Sequence, residues 1–260
     1  MPASNIHVPF YKQKKFWIIV SCLAVVALLV FLYKSEKYAF INSKVKNLVA
    51  EKTDRLYKVT YDSLKVDEIA GNVFIKNLTV TGDTLLQDRY IKAGDTSAAS
   101  MLVDVTVSSL QIVGFKTAAA LLSKELSCDK IIIMDPRITL NLYPGQSSHK
   151  DQLQEQSKQL YKRILGNLHL IQADSVVLIN AEVVALNHFT KEIKFHTFNT
   201  SIFLKDVLID SLHYNDTTRT LFSKQVALHS DKLILGEKPV VAEVTNLTFD
   251  TKSGILALSN

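Results

Sequence analysis

Four side chains come nearest to a chemical arrangement. His188 and His196 stand eight residues apart, and Asp206 and Asp210 flank a Val207-Leu208-Ile209 step. A histidine pair can seed a metal site, and paired carboxylates can divide general acid and base work. Neither pattern goes far. No cysteine lies near the histidines, and His196 alternates with Phe195 in a β-like stretch, as on a solvated strand face. Asp206 and Asp210 read more simply as turn or strand-edge acids. The chain carries no H-E-x-x-H, G-x-S-x-G, P-loop or G-x-G-x-x-G motif. The expectation is a protein that is not an enzyme, with no catalytic residues, no metal and no cofactor. Cys22 and Cys128 are poorly placed to pair, so no disulfide framework is expected. Four N-x-S/T sequons, at Asn77, Asn199, Asn215 and Asn246, matter only in a eukaryotic secretory pathway.

Composition narrows the class. Apolar residues make up 47% of the 260 positions, enough for a packed core. The net charge of +5 is concentrated: residues 1–60 hold 10 Lys/Arg and 3 Asp/Glu, whereas residues 61–260 hold 20 and 22. A nucleic-acid binder carries its basic patch on the folded domain, so no nucleic-acid partner is expected.

The basic N-terminus borders a membrane signal. Residues 16–33 are 18 uncharged, almost wholly apolar positions. As a helix they reach about 27 Å, close to the hydrocarbon thickness of a bilayer. Phe16, Trp17, Phe31 and Tyr33 form aromatic belts at its ends, with Lys12, Lys14, Lys15, Lys34 and Lys37 beyond them. A single transmembrane helix is expected. The run is too long for a signal-peptide core, and no cleavage pattern follows it. Cys22 in Ile19-Val20-Ser21-Cys22 loosely resembles a lipobox, but eleven uncharged residues continue past it. The flanking lysines leave orientation undecided.

After the anchor, residues 34–57 read as a helical neck, with Ile41, Val45, Leu48 and Leu56 on one stripe. The period then changes to two. Strands are expected at 59–66, 72–82, 101–113, 130–143, 168–180, 191–204, 224–235, 239–250 and 254–260, joined as antiparallel meanders. Short helices are expected at 117–126 and 149–166, packed on or capping the sheet. Pro136 interrupts the strand IIIMDPRITLNLY, which must therefore lie at an edge or carry a bulge. The fold class is mainly β with minor α: a transmembrane helix followed by a curled antiparallel sheet.

The order of these elements resembles the AsmA-like envelope proteins, relatives of TamB and of the bridge-like lipid-transfer proteins. The resemblance rests on the anchor, then on YDSLKVDEIAGNVFIKNLTVTGDT (61–84), VDVTVSSLQIVGFKTAAALLSKELSCDKIIIMDPRITLNLY (103–143) and LGNLHLIQADSVVLIN (165–180). It implies an open β-groove with an apolar inner face that holds acyl chains, a role in envelope biogenesis, a cytoplasmic tail (1–15) and a β-rich periplasmic domain (58–260). The localisation implied is the inner membrane, single-pass, with membrane phospholipids and envelope proteins as partners. The apolar faces of the first strands supply the expected groove residues: Phe74, Leu78, Val80, Val103, Val105, Val107, Ile132, Met134, Ile138 and Leu140. About ten strands span roughly 50 Å, near one bilayer thickness. The alternative is a membrane-tethered β-domain that scaffolds envelope proteins through a free strand edge.

Overall fold

Apolar alternation at period two becomes one sheet. The computed structural model describes residues 53, 55–67, 69–95, 98–116, 125–143, 169–210, 212–213, 216–237 and 240–259. The anchor (16–33), its aromatic residues Phe16, Trp17, Phe31 and Tyr33, the expected helix at 149–166 and nearly all of the neck lie outside these. Among the described residues no helix is long and apolar enough to cross a membrane.

The strands are β1 (Tyr57–Thr60), β2 (Ser63–Asp67), β3 (Asn72–Gly82), β4 (Met101–Val113), β5 (Glu125–Met134), β6 (Arg137–Leu142), β7 (Leu170–Asn187), β8 (Ile193–Asp210), β9 (Ser223–Glu237), β10 (Val240–Asp250) and β11 (Ile255–Ser259). They form a single large curled sheet in the order β1-β3-β4-β5-β7-β8-β9-β10-β11, with β2 beside β3, and β6 between β4 and β7. Tyr57, expected in the neck, already belongs to β1, and Glu125 and Leu126, expected in a helix, belong to β5.

The expectation of purely antiparallel meanders is corrected at one place: β5 and β6 run parallel to β7. Parallel neighbours need a crossover of a dozen or more residues. The connection 143–169 supplies that length, which lets β7 enter in the same direction as β6.

One helix, α1 (Thr84–Lys92), was not expected. Asp83 caps it, its side chain accepting from the Leu86 amide at 2.9 Å. Leu86 and Ile91 pack on the core. Gln87 is fully buried and saturates both ends of its amide on the backbone of Ala99, at 2.6 and 3.1 Å. Nine residues with a narrow apolar stripe give little periodic signal.

A polar seam crosses the sheet. Asn77, Asp135, Asn180, Asn199 and Asn246 all have positive φ, between 45° and 56°. Asn and Asp tolerate this left-handed conformation better than other L-residues. The flanking registers set Asp62 opposite Asn77, Asn77 opposite Ser108, Ser108 opposite Asp135, and Asp135 beside Asn180. Asn199 faces Asp231, which faces Asn246. Side chains join along the row: Asn77 donates to Asp62 (2.6 Å), Ser108 to Asp135 (2.8 Å), Asn180 to Asp135 (2.7 Å) and Asn199 to Asp231. In β3 the buried residues are Val73 and Ile75 before the seam, then Leu78 and Val80 after it. The left-handed residue adds one position to each run, so the same face stays apolar while its parity changes. Pro136 sits in this seam, in the break between β5 and β6, which keep one register with β4 and with β7 across it, so the proline stands neither at a sheet edge nor in a bulge, and both readings are corrected. Three of the sequons fall on the seam as well. The amide nitrogens of Asn77 and Asn199 are already engaged there.

Gly71 shows how tightly one end is closed. Its φ is +65°, and an added Cβ would lie 2.7 Å from the backbone oxygen of Phe115. Gly71→Val is expected to destabilise the sheet by about 3 kcal/mol, from left-handed strain plus backbone displacement. Urea unfolding checks this, and a change below about 0.5 kcal/mol contradicts it.

Candidate functional site

The seam decides which face each expected groove residue occupies. Leu78, Val80, Val103, Val105, Val107 and Leu140 are buried in one apolar cluster, and Ile138 packs against it. Registers Leu78↔Val107, Val80↔Val105, Val105↔Ile138 and Val103↔Leu140 hold these seven together on the inner face. Phe74, Ile132 and Met134 are placed on the opposite face, a correction. They precede the seam, where parity is reversed. In their stead Ile75, Ile131 and Ile133 pack inward. Phe74 is 36% exposed and pairs through Gln111 with Ile132 in an outer row.

Counting across strands shows what counting along them hides. Leu64, Ile75, Leu110, Ile133, Leu178, Ile202, Leu228, Phe249 and Leu256 are successive register partners across the whole sheet. No polar residue interrupts the row. A second row runs on the far side of the seam from Val59 through Val80, Val105, Ile138 and Val183; Thr197 breaks it before Leu233 and Val244. At about 4.8 Å per strand the nine-residue row is about 38 Å long. Leu64 at the β2 end is half-buried, Ile75 and Leu110 are 0% and 3% exposed, the next five residues are half-buried, and Leu256 is 66% exposed. Core packing and α1 close the face at β1–β6. On β11, Ile255, Leu256 and Leu258 are all exposed.

The other face carries a polar cleft of about 640 Å³ along the seam, lined among others by Thr106, Ser108, Asp135, Arg137, Asn180 and Glu182. Hydrogen bonds from Asn180 and Ser108, with Arg137 nearby, hold the Asp135 carboxyl below its ordinary value. Leu78, Val107 and Phe198 also border it, so its lining mixes polar and apolar groups.

The histidines and carboxylates singled out by sequence do not converge. His188 lies in the β7–β8 turn near Asp88 of α1, at 3.7 Å, while His196 meets Glu182 on the sheet at 2.8 Å. Among the described residues no cluster of ligand types fits a metal. Asp210 caps the turn after β8: against its burial, hydrogen bonds from the backbone and ring of His213 and from the Leu212 amide keep its carboxyl low. Asp206 has positive φ and meets Lys224 at 2.6 Å and Arg219 at 3.3 Å. The Lys224 contact first, then Arg219, lowers its pKa from 3.8.

A depressed folded value means stabilisation that is present above the unfolded pKa and lost as pH falls through the folded one. Thermal stability is therefore expected to drop as pH falls below about 4. Asp206→Asn should flatten part of that drop, and an unchanged acid limb in a melting series would contradict the assignment.

No family model matches the chain, and no curated protein matches it.

Proposed function

We propose that the chain is a membrane-anchored envelope protein of AsmA-like type whose inner sheet face binds phospholipid acyl chains or helps move them. The observation that carries this reading is the unbroken nine-residue apolar row, whose exposure is greatest at β11. A dry core needs apolar residues only where something packs on them. Here the row continues, still apolar, to a strand at which Leu256 is two-thirds uncovered. A chain of methylenes lying across the strands would bury what the protein leaves open, at about 25 cal/mol per Å². The apolar run 16–33 would hold this face beside its own membrane, with the bulk of the chain in the periplasm. A row of about 38 Å is longer than the hydrocarbon core is thick, yet short for bridging an envelope without partners.

The test is native mass spectrometry of the full chain released from mild detergent. Stoichiometric phospholipid masses that vanish on denaturation are the expected result. A folded chain free of lipid would sink the proposal.

A second reading is favoured by β11 itself. It pairs only with β10 among the described strands, and exposed apolar side chains stand on it. Such an edge suits β-augmentation by an envelope protein, making the domain a scaffold. Mutation separates the two. Lys at Ala257 should block strand addition while leaving co-purified lipid unchanged.

A further inference from the structure

The two ends of the strands do not expose apolar side chains alike. Registers Tyr57↔Gly82, Met101↔Leu142, Leu142↔Asn187, Leu186↔Ile193 and Gly236↔Val241 put these residues at one end of the sheet. Leu85, Phe189, Ile193 and Val241 are exposed at that end, Leu85 at 69% and Phe189 at 58%. At the opposite end Ile69 and Leu212 are exposed. Ile69 follows β2 and Leu212 follows β8, and β3 and β8 are four strands apart, about 19 Å. Single exposed apolar residues are ordinary; a group of them marks a contact surface.

The group at the first end is held outward by ordered neighbours. The Phe189 ring meets Tyr143 at 5.7 Å and His188 at 5.3 Å, both edge-on, and still faces solvent. Leu85 lies in the first turn of α1, whose start Asp83 fixes, while Leu86 and Ile91 take the inward side. His188 Nε2 stands 3.7 Å from Asp88 of α1, so the helix and the β7–β8 turn form one surface.

The course of the chain indicates what this surface faces. Tyr57 opens β1 here, so the apolar run 16–33 is joined to this end. Residues 34–52, read as the helical neck of the sequence, reach about 29 Å. β7 alone is about 56 Å long, so that neck brings this end of the sheet to a bilayer and falls short of bringing the other. Charge neither favours nor opposes the approach. Over 83–95 and 187–194, Arg89, Lys92, Lys191 and Lys194 are matched by Asp83, Asp88, Asp95 and Glu192. Burial keeps the His188 ring neutral. The contact is therefore apolar and needs no anionic headgroup.

We propose that this end of the sheet rests on the bilayer that holds the chain, with Leu85, Phe189, Ile193 and Val241 at the boundary of headgroups and acyl chains. The inference rests on the membrane-anchored reading above. Strands standing on this end carry the apolar rows, which cross them, along the membrane surface.

The test uses the full chain reconstituted in vesicles of a choline-headgroup phospholipid, with or without bromine on the acyl chains. Bromine quenches tryptophan on contact. Wild type has one tryptophan, Trp17, so its quenching reads the anchor alone. In a Trp17→Phe background, Leu85→Trp and Phe189→Trp read the surface, while Ile69→Trp and Leu212→Trp read the far end. All four positions are exposed, so the fold should tolerate the exchanges. Bromine should dim the Leu85→Trp and Phe189→Trp chains to within a factor of about two of its effect on wild type, since all three rings sit at the interface. The far-end chains should stay bright, and high salt should not release the contact. Quenching of wild type without quenching at positions 85 and 189 would overturn the contact and leave the anchored reading standing. Equal quenching at both ends, or release by salt, would overturn it too. Emission at 85 or 189 that ignores bromine but shifts to the blue as chains crowd the vesicle would give the surface to a second copy and overturn the membrane contact. An unquenched wild type would overturn the anchored reading, and the Leu85→Trp and Phe189→Trp chains then judge the contact alone.

Discussion

A Leu140→Asp chain should not fold. Leu140 is fully buried, faces Val103 across the β4–β6 pair and stands in the interior of the sheet. Truncating such a residue already costs about 2–5 kcal/mol, and an unpaired buried carboxylate adds several more. The sum approaches the whole stability of an ordinary domain, about 5–15 kcal/mol. Loss of the far-UV β signal, or recovery only as aggregate, is the expected outcome. The same substitution at the uncovered end of the nine-residue row, Leu256→Asp, should change stability by no more than about 0.5 kcal/mol, because solvent already reaches that side chain. If the row carries acyl chains, this variant should nevertheless lose bound lipid. A folded Leu140→Asp chain would mean that the inner face at β4–β6 is not the dry core described. A Leu256→Asp chain with full lipid stoichiometry would remove the row's end from the binding surface.

Asp135→Ala is expected to cost about 2–3 kcal/mol. Two terms contribute. The backbone at φ 48° suits Asp, Asn or Gly, and alanine there carries about 1–2 kcal/mol of strain. The carboxylate also accepts from Ser108 and Asn180. Hydrogen bonds to a charged group are worth about 1.5–3 kcal/mol when buried, and less here because the residue is exposed. For a domain of this size the melting temperature should fall by about 4–12 °C. Asp135→Gly separates the terms by relieving the backbone and removing only the acceptor, so it should recover roughly half of the loss. Denaturant melts of the three chains decide the matter. If alanine and glycine are equally damaging, backbone strain plays no part. If both are silent, the seam is ornamental.

Much of the secondary structure was legible in the sequence because period-two patterning is a local property. Strands 72–82 and 101–113 have the bounds their alternation indicates, and Pro136 marked a real irregularity. The site was half legible. Seven of the ten expected residues share the inner face, and three do not, all three standing before the seam. A signal for this existed: in NVFIKNLTV the apolar residues change from odd to even positions around Asn77, and in IIIMDPRITL they do so around Asp135 and Pro136. A change of parity around Asn or Asp marks a left-handed residue that keeps the face constant. The helix α1 was missed because its apolar stripe is short, although Asp83 announces its cap.

By itself the sequence determined that this is a β-rich chain behind an apolar run of membrane length, and which short runs are strands. These follow from side-chain chemistry acting over a few neighbouring residues. Tertiary structure alone decided three things. It set β5 and β6 parallel to β7, which depends on a crossover and not on the strands themselves. It aligned Asn and Asp residues from distant strands into one seam, which fixed the face of every residue beyond it. It brought Asp88, Tyr143 and His188, separated by 55 and 45 residues along the chain, into one unsatisfied polar cluster. Register between strands distant in sequence arises from hydrogen bonds between those segments, and the alternation within one strand leaves its partner open.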